Sequence, residues 1–72
     1  MKFDYKHFSI DASCLEEGGR YYARAKIFQR TSVADDAREV KWSGDIGDYR
    51  SDADAVEAAQ RWARQWCDEN EH

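Results

Sequence analysis

The feature that most constrains this chain is a change of hydrophobic period about three quarters of the way along. On either side of the Gly18-Gly19 pair, apolar side chains recur at every second position: Phe8, Ile10, Ala12 and Cys14 before it, Tyr21, Ala23, Ala25 and Ile27 after it. From Ala55 onward the spacing becomes i, i+3, i+4, i+7, through Val56, Ala59, Trp62, Ala63 and Trp66. Period two sends alternate side chains to opposite faces of a strand, whereas the second spacing draws one stripe along a helix. Each element then has a single dry face, and laying the helix across the sheet buries both. The predicted fold is α+β: a three-stranded antiparallel meander packed on one C-terminal helix, in the order β-β-β-α. It is expected to form a single small domain over residues 1–72.

Glu16-Glu17-Gly18-Gly19 is compact enough for a hairpin turn between the first two strands. Upstream, Phe3 and Tyr5 alternate in the opposite phase to Phe8 and Ile10, so a β-bulge or tight turn is expected near Lys6-His7. Residues 31–38 lack a strand period and are expected to form the longer second loop. A third strand, Glu39 to Asp45, carries Val40 and Trp42 on its expected dry side.

The helix is expected over about residues 52–68, with Ser51 as N-cap and Asp54 three residues on in capping-box position. Asp52 and Asp54 favour the positive end of the helix dipole, and Glu57 precedes Arg61 by four residues in the better orientation for an ion pair. Asp68, Glu69 and Glu71 oppose the dipole at the far end, so fraying is expected from there. Trp62 and Trp66 are expected to sit over the small residues Ala12, Ala23 and Ala25 of the sheet.

Composition narrows the function. Ten aromatics and no proline set the chain apart from disordered tails. No apolar run approaches the roughly 18 residues of a membrane helix, and the opening residues lack a secretion signal's apolar stretch. A cytoplasmic domain without membrane association is expected. Cys14 and Cys67 lack metal-ligand spacing, and without export they are expected to be reduced, small buried groups. His7 has no nucleophile and third group at recognisable spacing, and Asp35-Asp36 and Asp45 with Asp48 do not form a calcium loop. No enzyme activity and no cofactor are expected.

What remains is the wet face of the second strand, where Tyr22, Arg24, Lys26, Phe28 and Arg30 interleave bases with aromatics and Lys41 joins from the third strand. Such a sheet can hold single-stranded nucleic acid. Centring the first hairpin on Glu17-Gly18 places Asp11 opposite Arg24 and Ser9 opposite Lys26. The favoured register of the second places Arg30 opposite Glu39 and Arg24 opposite Asp45. Arg24, Lys26, Arg30 and Lys41 against Asp11, Glu39 and Asp45 then leave the face at +1, on a chain whose net charge is −4. That excess is too small for phosphate binding by counterion release.

The β-β-β-α layout resembles the DNA-binding domain of plant ethylene-response factors and the arm-type domains of some phage integrases, which lay a three-stranded sheet in the major groove. The Trp-Gly-Lys-Trp run and basic density of the plant family are missing. A second resemblance spans nearly the whole chain. The opening Phe3-Asp4-Tyr5-Lys6-His7-Phe8-Ser9-Ile10, the Gly18-Gly19-Arg20-Tyr21-Tyr22-Ala23-Arg24 stretch and Tyr49-Arg50-Ser51-Asp52-Ala53-Asp54-Ala55-Val56-Glu57-Ala58-Ala59-Gln60-Arg61-Trp62 look like a loose set of small bacterial proteins without an assigned activity. That set typically reads Tyr-Lys-Gly-Tyr near the start, and His7 stands where it has glycine. The likeness implies the fold and no chemistry. The expected function is protein binding or self-association through the wet sheet face around Tyr22, Arg24 and Phe28, with nucleic-acid binding through the same face as the alternative.

Overall fold

The structure, a computed structural model, describes residues 1–29 and 38–70. Arg30, the Asp35-Asp36 pair, all but the last residue of the expected second loop, and Glu71-His72 lie outside the described residues.

The elements in chain order are β1 (Lys2–Tyr5), β2 (Phe8–Glu17), β3 (Arg20–Gln29), β4 (Arg38–Trp42), the two-residue β5 (Asp48–Tyr49) and the helix α1 (Asp52–Glu69). The strands form one antiparallel sheet in the order β1-β2-β3-β4, with β5 also paired to β3. This is the predicted meander followed by one C-terminal helix, with its first strand divided, its last ending at Trp42 and not at the expected Asp45, and the short β5 added. The phase change at Lys6-His7 is a two-residue turn closed by the Tyr5–Phe8 pair, with Lys6 at φ 56°. A positive φ at the first central residue alone is the sign pattern of a II′ hairpin turn. The left-handed residue is thus Lys6, one position before the His7 that replaces glycine.

The β2–β3 turn consists of Gly18 and Gly19, at φ 60° and 80°, flanked by the Glu17–Arg20 pair. Two positive φ values make a type I′ turn, whose twist matches that of the strands. The expected turn on Glu17-Gly18 would have placed a glutamate in the left-handed region, which glycine occupies without steric cost. The register therefore differs by two residues from the expected one: Asp11 faces Lys26, Ser13 faces Arg24 and Ser9 faces Phe28.

Pairing of β3 with β4 carries a one-residue irregularity. Lys26 faces Trp42 and Ile27 faces Lys41, but Phe28 faces Glu39, so Val40 is an extra, unpaired residue. After β4 the chain continues irregularly along β3. Ser43 gives its N–H to the Ala25 carbonyl at 2.9 Å and accepts the Ala25 N–H on its Oγ at 2.8 Å. Ile46 and Gly47 then bond to both backbone groups of Ala23.

The helix begins as its sequence predicts, with the Ser51 Oγ accepting the Asp54 N–H at 3.2 Å and Glu57 lying 3.5 Å from Arg61. It ends one residue beyond the expected limit, where the Asn70 N–H caps the Trp66 and Cys67 carbonyls. Its innermost stripe is Ala55, Ala59, Ala63 and Cys67, all fully buried with Ile10, Ala12, Ala23, Ala25 and Ile27 of the sheet. The expected arrangement of tryptophans over alanines is therefore corrected. Small residues meet across the middle of the interface, which brings helix and sheet close together. Trp62 and Trp66 are half-buried and pack against the edges of this core, Trp66 meeting Phe8 edge-on at 5.6 Å between ring centroids.

Candidate interaction face

Residues directly opposite in an antiparallel pair share a face, so the register assigns each side chain. The helix covers the face bearing Ile10, Ala12, Ala23, Ala25 and Ile27. The opposite, outer face carries Lys2 and Asp4 from β1, Ser9, Asp11, Ser13 and Leu15 from β2, and Tyr22, Arg24, Lys26 and Phe28 from β3. Glu39 and Trp42 come from β4 and Asp48 from β5.

The four described members of the predicted β3 group do share this face. Tyr22 is half-buried between Leu15 and Asp48, and Phe28 is half-buried between Ser9 and Glu39. The expected register of the second hairpin is corrected, since Phe28 and not Arg30 faces Glu39 and Asp45 lies beyond β4; Arg24 still gives its Nε–H to the Asp45 side chain at 2.8 Å, and Asp11 lies opposite Lys26. Lys26 is exposed between Asp11 and Trp42, and among the described residues no carboxylate lies within ion-pair distance of it. Arg30, the fifth, is outside the described residues.

The Val40 irregularity decides the other two assignments. A one-residue shift sends the following side chains to the other face. Lys41, expected on the outer face, lies opposite the buried Ile27 and belongs to the helix side at the sheet's exposed margin. Trp42, expected on the dry side, lies opposite Lys26 on the outer face with 53% of its surface exposed. Sequence reasoning missed Trp42 because the alternation of Val40 and Trp42 with Glu39 and Lys41 fits an unbroken strand, and no residue in that run marks the extra position.

Around Trp42 the outer face forms an open groove of about 490 Å³, lined by Asp11, Ser13, Arg24, Lys26, Glu39 and Trp42 together with Ala25. A second depression of about 250 Å³ lies against Lys2, Ser9, Asp11 and Phe28, so Asp11 borders both. The electrostatics also differ from the expected +1. Lys41 leaves the set behind that figure and Arg30 lies outside the described residues, while across the described face Lys2, Arg20, Arg24, Lys26 and the Met1 ammonium beside Asp11 stand against Asp4, Asp11, Glu17, Glu39, Asp45 and Asp48. Two of those acids are held by arginines, Asp45 by Arg24 and Asp48 by Arg20 at 3.5 Å. The Asp45/Asp48 pair thus takes guanidinium partners.

Elsewhere, several chemistry-bearing residues meet where the first hairpin reaches the end of the helix. The Tyr5 hydroxyl and the Lys6 Nζ converge on the Asp68 Oδ1 at 2.9 and 2.6 Å. Both contacts hold the Asp68 carboxyl below the usual carboxylate range, and the bond to Asp68 raises the Tyr5 hydroxyl above the usual phenol range. Burial, reinforced by Asp68, pushes the neighbouring Cys67 thiol up to about 11. Both cysteines are free, Cys67 buried and Cys14 half-buried, and His7 is exposed in the turn. Among the described residues no three His, Cys, Asp or Glu side chains are grouped to hold a metal ion, and no helix is long and apolar enough to cross a membrane.

Comparison with protein-family models, with curated proteins and with solved structures finds no match for this chain.

Proposed function

We propose that this domain is a protein-interaction module that docks a partner on the outer face of its sheet, around Tyr22, Arg24, Lys26, Phe28 and Trp42. The observation that carries the reading is the exposed Trp42 indole, standing on a sheet face that no other part of the described chain covers. A tryptophan left 53% exposed contributes less to the fold than a buried one would. The same residue type, with tyrosine and arginine, dominates the binding energy of protein interfaces. The same face also carries Phe28, half-buried, and farther along it the pair of Leu15, 41% exposed, and the half-buried Tyr22.

The acids surrounding these aromatics favour a different protein over a second copy, because two faces of the same net sign repel on approach. They disfavour nucleic acid more strongly, since counterion release requires a positive excess.

The test is site-specific photo-crosslinking, with a benzophenone side chain at Lys26 on the outer face or at Glu57 on the exposed face of the helix. Discrete products from the first position and none from the second are expected. Absence of any product specific to position 26 overturns the reading. Sedimentation of the wild type beside Tyr22→Ala/Phe28→Ala separates self-association, which would appear as a concentration-dependent dimer lost in the variant.

A further inference from the structure

We infer that the groove lined by Trp42 on the outer face is a binding site for an uncharged saccharide chain, with one sugar ring stacked on the indole. The site lies within the docking face, but its occupancy does not depend on the docking reading.

Charge does not select what this groove holds. Its lining sets the two cations Arg24 and Lys26 against the two carboxylates Asp11 and Glu39, and the Ser13 hydroxyl and the Trp42 indole share the wall with them. An anionic ligand is opposed by the carboxylates and a cationic one by the bases, whereas a neutral ligand is opposed by neither. The volume of about 490 Å³ falls within the range of about 300–1,000 Å³ usual for small-ligand sites.

What the lining does offer is hydrogen bonding in both directions at the solvent boundary. Lys26 is exposed and only donates, Asp11 and Glu39 only accept, and the exposed Ser13 hydroxyl does both. Arg24 spends its Nε–H on Asp45 and keeps its remaining N–H donors, with 34% of its side chain exposed. Each hydroxyl of a sugar donates and accepts at once, so neighbouring hydroxyls of one ring use bases and carboxylates together. A peptide backbone brings a single donor and a single acceptor per residue to the same surface.

Register supplies the aromatic platform. Asp11, Lys26 and Trp42 stand opposite one another on β2, β3 and β4, a row of about 10 Å across the outer face. An indole carries negative charge on its two faces, and the axial C–H bonds of a pyranose ring present an apolar, weakly positive surface to it. Trp42 lines the groove with 53% of its surface exposed, which leaves indole surface free for a ring.

The test is titration of the full isotope-labelled chain with cellotetraose, maltotetraose, mannotetraose and tetra-N-acetylchitotetraose, and with the acyclic polyol sorbitol, followed by amide and indole NMR shifts. The Trp42 indole signal is assigned by its loss in Trp42→Phe. At least one oligosaccharide is expected to move that signal and the amides of Asp11, Lys26 and Glu39, with a Kd on the order of 1 mM. Because the ligand is uncharged, its affinity should change less than about twofold between 50 and 200 mM salt. Trp42→Ala should weaken binding about tenfold, Trp42→Phe should retain part of it, and Glu57→Gln should leave it unchanged. No shift with any oligosaccharide at about 20 mM, equal shifts with sorbitol, or full binding by Trp42→Ala overturns the inference. Should every oligosaccharide fail while crosslinks at position 26 persist, the docking reading stands and the saccharide site falls. Should one bind while no crosslink forms, the reverse holds.

Discussion

Asp68, in the last turn of the helix, accepts the hydroxyl proton of Tyr5 at 2.9 Å across 63 residues of sequence. With Lys6 on the same oxygen, the first hairpin is tied to the end of the helix, and the acids there acquire partners that offset their poor fit with the helix dipole.

The tie is pH-dependent, with a definite sign. A carboxyl whose folded pKa is lowered contributes stability above its unfolded pKa and loses it as pH falls through the folded value. Thermal unfolding of the wild type and of Asp68→Asn should therefore differ most near pH 6, and the gap should close as pH falls below about 4. A gap constant down to pH 2 would show that Asp68 is not held as described.

Cys67 has the opposite sign. Its thiol is raised from 9.0 to about 11, so the unfolded chain releases this proton first and stability declines across that window. The loss attributable to this group is on the order of 2–3 kcal/mol by pH 11. Cys67→Ala should lower stability at neutral pH through its cavity while flattening the decline, as read from chemical denaturation at several pH values. At pH 8 a thiol reagent should label the half-buried Cys14 well before Cys67.

Close packing of helix on sheet makes the alanine stripe intolerant of size. Ala59 is fully buried beneath the sheet, so Ala59→Leu should cost about 1–3 kcal/mol by forcing the layers apart. An unchanged melting temperature would contradict the small-on-small interface.

The tryptophans should separate by role. Trp66→Ala removes the edge-on contact with Phe8 and should cost about 2 kcal/mol, less than a fully buried tryptophan. Trp42→Ala should change stability by no more than about 0.5 kcal/mol, as at other exposed sites. Calorimetry of the two variants checks both, and a large loss at Trp42 would make it a structural residue.

In the β2–β3 turn, a side chain added at Gly19 would meet no neighbouring atom within 4 Å, so any penalty comes from φ alone. Gly19→Ala should cost about 1 kcal/mol with the register unchanged, measurable by denaturant unfolding.

Local pattern alone determined the order of elements, the break at Lys6-His7, the turn region and the helix start. Each depends on residues close in sequence: the alternation around Ile10 and Ala23, the paired glycines, and Ser51 three residues before Asp54. The sharing of one face by Tyr22, Arg24, Lys26 and Phe28 was also legible, because a two-residue error in register leaves every side chain on its own side. Tertiary structure decided what alternation cannot carry. The extra residue at Val40 turned Trp42 outward and Lys41 inward, a choice made by how β4 pairs with β3. The alanines at the centre of α1, with the tryptophans at its margins, follow from how closely the helix approaches the sheet. A periodic stripe shows which side of a helix is dry, but only the facing surface selects which of its residues lie deepest.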